Sequence, residues 1–208
     1  MKLLVLGASG ATGGHLVDRA LANGDAVTVL ARRPDAFSNV HGQISVIAGN
    51  ATSMNDIARA AAGQDAVIST LGRGMSLRAD GLFSGAVRAV VDGMRQVGVT
   101  RLVWLSSFGV GDTYRSASLT QKVMYSTFLR NVYADKTRSE RELRTSGLDW
   151  TLVYPTTLTD KPALGTYRVG DRLPMRGAPT ISRADVADFL HRAAADPTWT
   201  HRDAILTD

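Results

Sequence analysis

The 208-residue chain contains no cysteine. A disulfide framework and a thiolate metal site are therefore excluded, and a reducing cytoplasm is the expected location. Its four histidines, His15, His41, His191 and His201, lie far apart without ligand spacing, so no metal is expected. No stretch approaches the roughly 20 apolar residues that span a bilayer. The opening MKLLVLG is too short before Gly7 for a secretory h-region, and no membrane association is expected. Aromatic residues make up 6% of the chain, and the basic residues are scattered from Lys2 to Arg202 without a dense block. The formal charge of +5 therefore suits a phosphorylated cofactor or an acidic substrate better than nucleic acid, the weakest of the partners that it admits. Apolar residues at 44% and charged residues at 21% match one globular domain, residues 1–208, with a sizeable core.

Short apolar runs recur at residues 3–6, 26–30, 44–48, 66–69, 102–105 and 150–154. They are nearly continuous rather than alternating, which suits strands buried on both faces. Between them Leu82, Phe83, Ala86, Val87, Val90, Val91, Met94 and Val97 form an i, i+3, i+4 stripe ended by Gly98. Helical patterns also cover 13–22, 54–62, 135–145 and 183–194. The alternation predicts an α/β Rossmann fold, a doubly wound, mostly parallel sheet with helices on both faces. Two segments break the rhythm: the polar stretch 109–119, and residues 155–180, which hold four of the six prolines. The second predicts a small hairpin turning at Gly170-Asp171. Both leave strands at their carboxyl ends, where open parallel sheets bind ligands, so both are candidate substrate walls.

The first strand runs into GASGATG. A strand, a glycine turn and a helix together form a dinucleotide cradle, because N–H groups at the helix start face a pyrophosphate and glycine lets the backbone approach it. The candidates are Gly7, Ser9, Gly10, Ala11, Thr12 and Gly13, with Thr12 as a possible helix cap. The end of the second strand discriminates between cofactors: a carboxylate there accepts from the ribose of NAD, whereas arginine holds the 2′-phosphate of NADP. Here Arg32 and Arg33 stand with no carboxylate before Asp35, so the expected cofactor is NADP(H), with Arg32 the nearer contact.

The segments GASGATGG, VTVLARR, AGQDAVISTLG, LSSFGV, SGLDWTLVYP and ISRADVADFL resemble the atypical short-chain dehydrogenase/reductase group that includes NmrA-like proteins. Within it the chain is most similar to the biliverdin-IXβ reductase/flavin reductase family. The resemblance implies that Leu71 and Gly72 approach the cofactor, and that Ser107, with Ser106 adjacent, lies beside the nicotinamide. It also places Pro155, Thr156, Thr157 and Leu158 against that ring. Relatives carry aspartate at Asn50, which retains an acceptor here and stays a cofactor candidate, and arginine at Tyr154. The YxxxK pair of many short-chain reductases is missing, since Tyr133 and Lys136 are separated by only two residues. Lys136 fits the group's pattern by itself, with Glu140 one turn later; the alternative is an exposed Lys136–Glu140 ion pair. Tyr133 is not expected to be the general acid, Tyr125 is supported only by residue type, and Asp185 is assigned to structure.

The implied activity is an NADPH-dependent reductase that delivers hydride to a planar acceptor such as a flavin, tetrapyrrole or quinone, with Ser107 and Lys136 as catalytic candidates. Arg168, Arg172 and Arg176 near the expected hairpin would attract acidic acceptors. A non-catalytic NADP(H) sensor with a protein partner is the alternative, and an epimerase acting on a nucleotide sugar is third.

Overall fold

Leu3, Leu4, Val5 and Leu6 have no solvent exposure at all, which is what a strand sandwiched between two helical layers requires. In the computed structural model, which describes residues 1–40, 42–72, 81–110, 130–175 and 177–208, they belong to β1 (Lys2–Leu6) at the centre of the sheet. The other strands are β2 (Ala26–Ala31), β3 (Ile44–Ala48), β4 (Ala66–Ser69), β5 (Arg101–Leu105), β6 (Asp149–Pro155), β7 (Thr157–Thr159), β8 (Arg168–Gly170), β9 (Thr180–Ser182) and β10 (Arg202–Thr207). Eight of them form one sheet in the order β3-β2-β1-β4-β5-β6-β10-β8, parallel except for β8. The order reverses direction between β1 and β4, the point at which doubly wound sheets open a crevice.

Alternate β1 residues serve opposite faces. Leu3 and Val5 pack with Leu16 and Val17 of α1 (Ala11–Ala22) and Phe189 and Leu190 of α5 (Arg183–Ala195). Leu4 and Leu6 join Ile57 of α2 (Met54–Ala61), Val90 and Met94 of α3 (Leu82–Val97), and Leu143 of α4 (Arg130–Arg144). The expected α/β architecture is thus observed. Among the described residues no helix is long and apolar enough to cross a membrane.

The hairpin expected at Gly170-Asp171 does not form. β8 pairs antiparallel with β10 instead, Val169 opposite Leu206, because β10 lies against the outer edge of β6 and offers its own free edge to β8. Asp171 accepts from one Arg202 guanidinium nitrogen at 2.8 and 2.9 Å. Nearby, β7 and β9 make a separate two-stranded parallel ladder. His41, Tyr125, Arg176 and residues 111–119 of the polar stretch lie outside the described residues.

Candidate active site

Gly7 leaves β1 with φ +83°, and a Cβ there would stand 2.8 Å from the Thr70 backbone carbonyl. A Cβ on Gly13 would lie 2.2 Å from the Gly7 oxygen, so the first turn of α1 rests on the turn that precedes it. Gly10 caps α1 without a side chain, and no acidic residue occupies the first turn. Thr12 is not the cap: it lies inside the helix and is buried. Among the described residues the starts of α2, α3 and α5 are taken. Ser53 caps α2, Ser182 caps α5, and α3 receives the Asp135 carboxylate on its Phe83 N–H at 3.0 Å. The α1 start, with Ser9, Gly10 and Ala11 exposed, keeps its positive end for an anion.

The neighbouring strand ends continue this rim. Arg32 and Arg33 follow β2 directly, both exposed and without an ion pair among the described residues. Asn50 follows β3; its Oδ1 accepts from Thr52 N–H at 3.1 Å, which closes the turn into α2. Thr70 ties the end of β4 to β1 through bonds to the Leu6 carbonyl, and sends Leu71 and exposed Gly72 along the same edge.

At the end of β5 the two serines part. Ser107 Oγ accepts a hydrogen bond from Lys136 Nζ at 2.7 Å. Ser106 Oγ points into the interior and donates to Glu140 Oε1 at 2.5 Å. Lys136 is 9% exposed and its ammonium sits 4.8 Å over the Phe83 ring. Burial lowers its pKa to about 8, against an opposing pull from Glu140. Glu140 also accepts from Tyr154 OH at 2.9 Å; burial raises its pKa while the Ser106 and Tyr154 hydrogen bonds work the other way. Behind Tyr154, Arg144 donates to its hydroxyl at 3.1 Å and to both oxygens of Asp203 at 2.7 Å. An exposed Lys136–Glu140 pair is therefore not what forms: both residues are buried, Lys136 against Phe83 of α3 and Glu140 against Tyr154 of β6. Tyr133 OH donates to the Phe108 carbonyl at 3.2 Å. Glu140, Tyr154, Arg144 and Asp203 as one connected network were not anticipated; the i, i+4 spacing of Lys136, Glu140 and Arg144 was the available signal.

Residues 7–197 match a family model described as NAD(P)H-binding. The chain belongs to that family. A Bacillus subtilis relative named as an uncharacterized sugar epimerase, YhfK, is 29% identical over all of this chain and 94% of its own length. ChuY, an anaerobillin reductase from Escherichia coli O157:H7, superposes with a TM-score of 0.83 at 27% identity, covering 99% of this chain and 96% of that one. A Veillonella parvula short-chain dehydrogenase/reductase solved with NADP shares the fold, with a TM-score of 0.80 at 19% identity over all of this chain and 94% of its own. The reductase-like NAD(P)H-binding fold supports an oxidoreductase.

The residues present fit a nicotinamide dinucleotide. The uncapped α1 start and the close-packed glycines suit its pyrophosphate, and the rim runs from there to Ser107. At the far side Pro155 ends β6, while Thr157 and Leu158 open β7. Thr156 lies between them, its N–H bonded to the Leu206 carbonyl and its Oγ1 buried without a partner among the described residues. An unpaired buried hydroxyl contributes no stability, so Thr156→Val should leave the urea midpoint unchanged or raised. The same variant should weaken NADPH binding severalfold if the hydroxyl turns to the cofactor. Fluorescence titration beside the denaturation curve separates the two effects.

Proposed function

We propose that this protein is an NADPH-dependent reductase that passes hydride to a planar acceptor such as a flavin, tetrapyrrole or quinone. The observation that carries this reading is the Lys136–Ser107 contact, built on the same sheet edge as the open α1 start. A nicotinamide held there supplies hydride; the accompanying proton needs a second source. Ser107 Oγ, only half-buried and bonded to the Lys136 ammonium, is the group of this chain suited to release a proton toward an acceptor atom and regain it from Lys136. Arg32 and Arg33 are the residues we assign to a 2′-phosphate, and Leu71, Gly72 and Pro155 to Leu158 to the nicotinamide end. Much of the rate then comes from holding two flat molecules face to face, which does not require the absent YxxxK tyrosine. The similarity to an E. coli anaerobillin reductase supports a planar acceptor.

The test is a fluorescence titration with NADPH and NADH, followed by addition of FMN, FAD or a quinone while the nicotinamide absorbance is followed. NADPH should bind at least about tenfold tighter than NADH, and Arg32→Ala should remove most of that preference. Ser107→Ala should lower turnover by about two to four orders of magnitude, the scale of one proton-transfer group. Tight binding without oxidation by any acceptor would overturn the reductase and favour an NADP(H) sensor with a protein partner. The B. subtilis relative's name favours an epimerase as the second reading. Interconversion of a nucleotide sugar without net NADPH consumption would establish it.

A further inference from the structure

Lys136 and Glu140 lie one turn apart on α4, and both are buried. A buried ammonium gives up its proton readily unless an anion stands near it. Around Lys136, α3 contributes the Phe83 ring and Ser84; the α3 cation Arg88 is paired with Glu142 at the surface. On α4 itself, the Asp135 carboxylate is occupied by the Phe83 and Ser84 N–H groups and the Ser84 hydroxyl. Tyr133 donates to the Phe108 carbonyl. Among the described residues the end of β5 offers the hydroxyls of Ser106 and Ser107, and β6 offers the Tyr154 phenol. Arg144 is bound in a bidentate pair to Asp203 of β10. Among these groups Glu140 alone is a carboxylate that neither a cation nor a helix start engages by a hydrogen bond.

Glu140 is also fixed. Ser106 donates to one of its oxygens at 2.5 Å and Tyr154 to the other at 2.9 Å. Burial leaves its pKa raised on balance, and the two hydroxyl donors on its two oxygens oppose that rise by stabilising the carboxylate form. Ser106 is the chain neighbour of Ser107, so one strand end grips both ends of the Lys136–Glu140 turn.

We propose that Glu140 is a positioning residue acting through Lys136: its carboxylate, clamped by Ser106 and Tyr154, keeps the Lys136 ammonium charged beside Ser107 at neutral pH. The catalytic consequence rests on the reading of Lys136–Ser107 as proton source, but the hold of Glu140 on Lys136 does not.

The chain has four lysines, Lys2, Lys122, Lys136 and Lys161, so carbon NMR of protein labelled at the lysine ε position gives a resolvable titration, with Lys136→Arg assigning the signal. The Lys136 signal should titrate at about pH 8. In Glu140→Gln it should move down by about one unit. Tyr154→Phe, which keeps the charge but removes one clamp, should move it the same way by less. An unmoved Lys136 signal in folded Glu140→Gln overturns the proposal. If that variant does not fold, an unmoved signal in both Tyr154→Phe and Ser106→Ala overturns it. The alkaline limb of NADPH–FMN turnover should follow the NMR midpoint. A moved midpoint without turnover by any acceptor upholds Glu140 and removes the reductase reading, and turnover with an unmoved midpoint does the reverse.

Discussion

Gly13→Ala should cost roughly 3 kcal/mol or more of stability and abolish tight NADPH binding, a penalty at the upper end of overpacking effects. The added methyl would enter 2.2 Å from the Gly7 oxygen and 2.7 Å from Ala8 Cα. Both are backbone atoms, and β1 behind them is locked into the sheet on both sides, so the strain cannot be relieved by a rotamer change. The helix must instead lift off the turn, which carries its N–H groups away from the place proposed for the cofactor pyrophosphate. Gly14→Ala is the control. Nothing lies within 4 Å of the position, and alanine inside a helix should gain about 0.5–1 kcal/mol. Urea midpoints and NADPH titrations of the two variants check the contrast. A Gly13→Ala protein with both properties of the parent would show that α1 does not rest on Gly7.

Asp25→Ala should cost about 3 kcal/mol, the scale on which removing one partner of a buried ion pair is felt. Asp25 lies in the turn between α1 and β2, where His191 Nε2 of α5 and the Met1 ammonium each approach its carboxylate at 2.5 Å. Truncation leaves both donors without an acceptor. Burial by itself would raise the Asp25 pKa, but the ammonium and His191 outweigh it and hold the carboxyl below the ordinary range. A depressed folded-state pKa means that the stabilisation is complete above the ordinary value, about 3.9, and is lost as pH falls through the lower folded one. Parent and variant should therefore differ fully near pH 7 and by less at about pH 3, which lies below the ordinary carboxylate value. Denaturation curves at the two pH values decide it, and a gap of equal size at both would place the effect outside the carboxylate charge.

The layout of the sheet was legible because β1, β2 and β4 to β6 are buried on both faces and their sequences are correspondingly unbroken, while the half-exposed edge strand β3 still carries the apolar run ISVIA. β10 was not: RDAILT has three consecutive apolar residues, too short a run to announce a strand whose place is set by the β6 edge. The same limit explains β7 and β9, three residues each. At the site, the motif groups Gly7 to Gly13 in one turn, yet spacing could not tell that Gly13 is sterically required and Gly14 is not. Ser107 and Lys136 were named through family resemblance; their contact depends on how α4 packs on the end of β5. Glu140 was open to a surface reading because helical spacing encodes neighbours along a face but not depth. Asp135 capping a helix 52 residues earlier leaves no local trace at all.

The two halves of the proposed site hang on different supports. The nucleotide cradle draws on β1, which has paired strands on both flanks, whereas the far wall depends on β10 for the Thr156 N–H, the β8 ladder and, through Asp208, a bond to Thr180. β8 is a three-residue edge strand, and the contacts that fix it are made by a segment more than 30 residues further on. Its amides should exchange with solvent through local opening long before those of β1 do. Such opening would release the acceptor side while the cofactor stays bound. A reductase built this way can admit and discharge acceptors of different outline without loosening its grip on the dinucleotide.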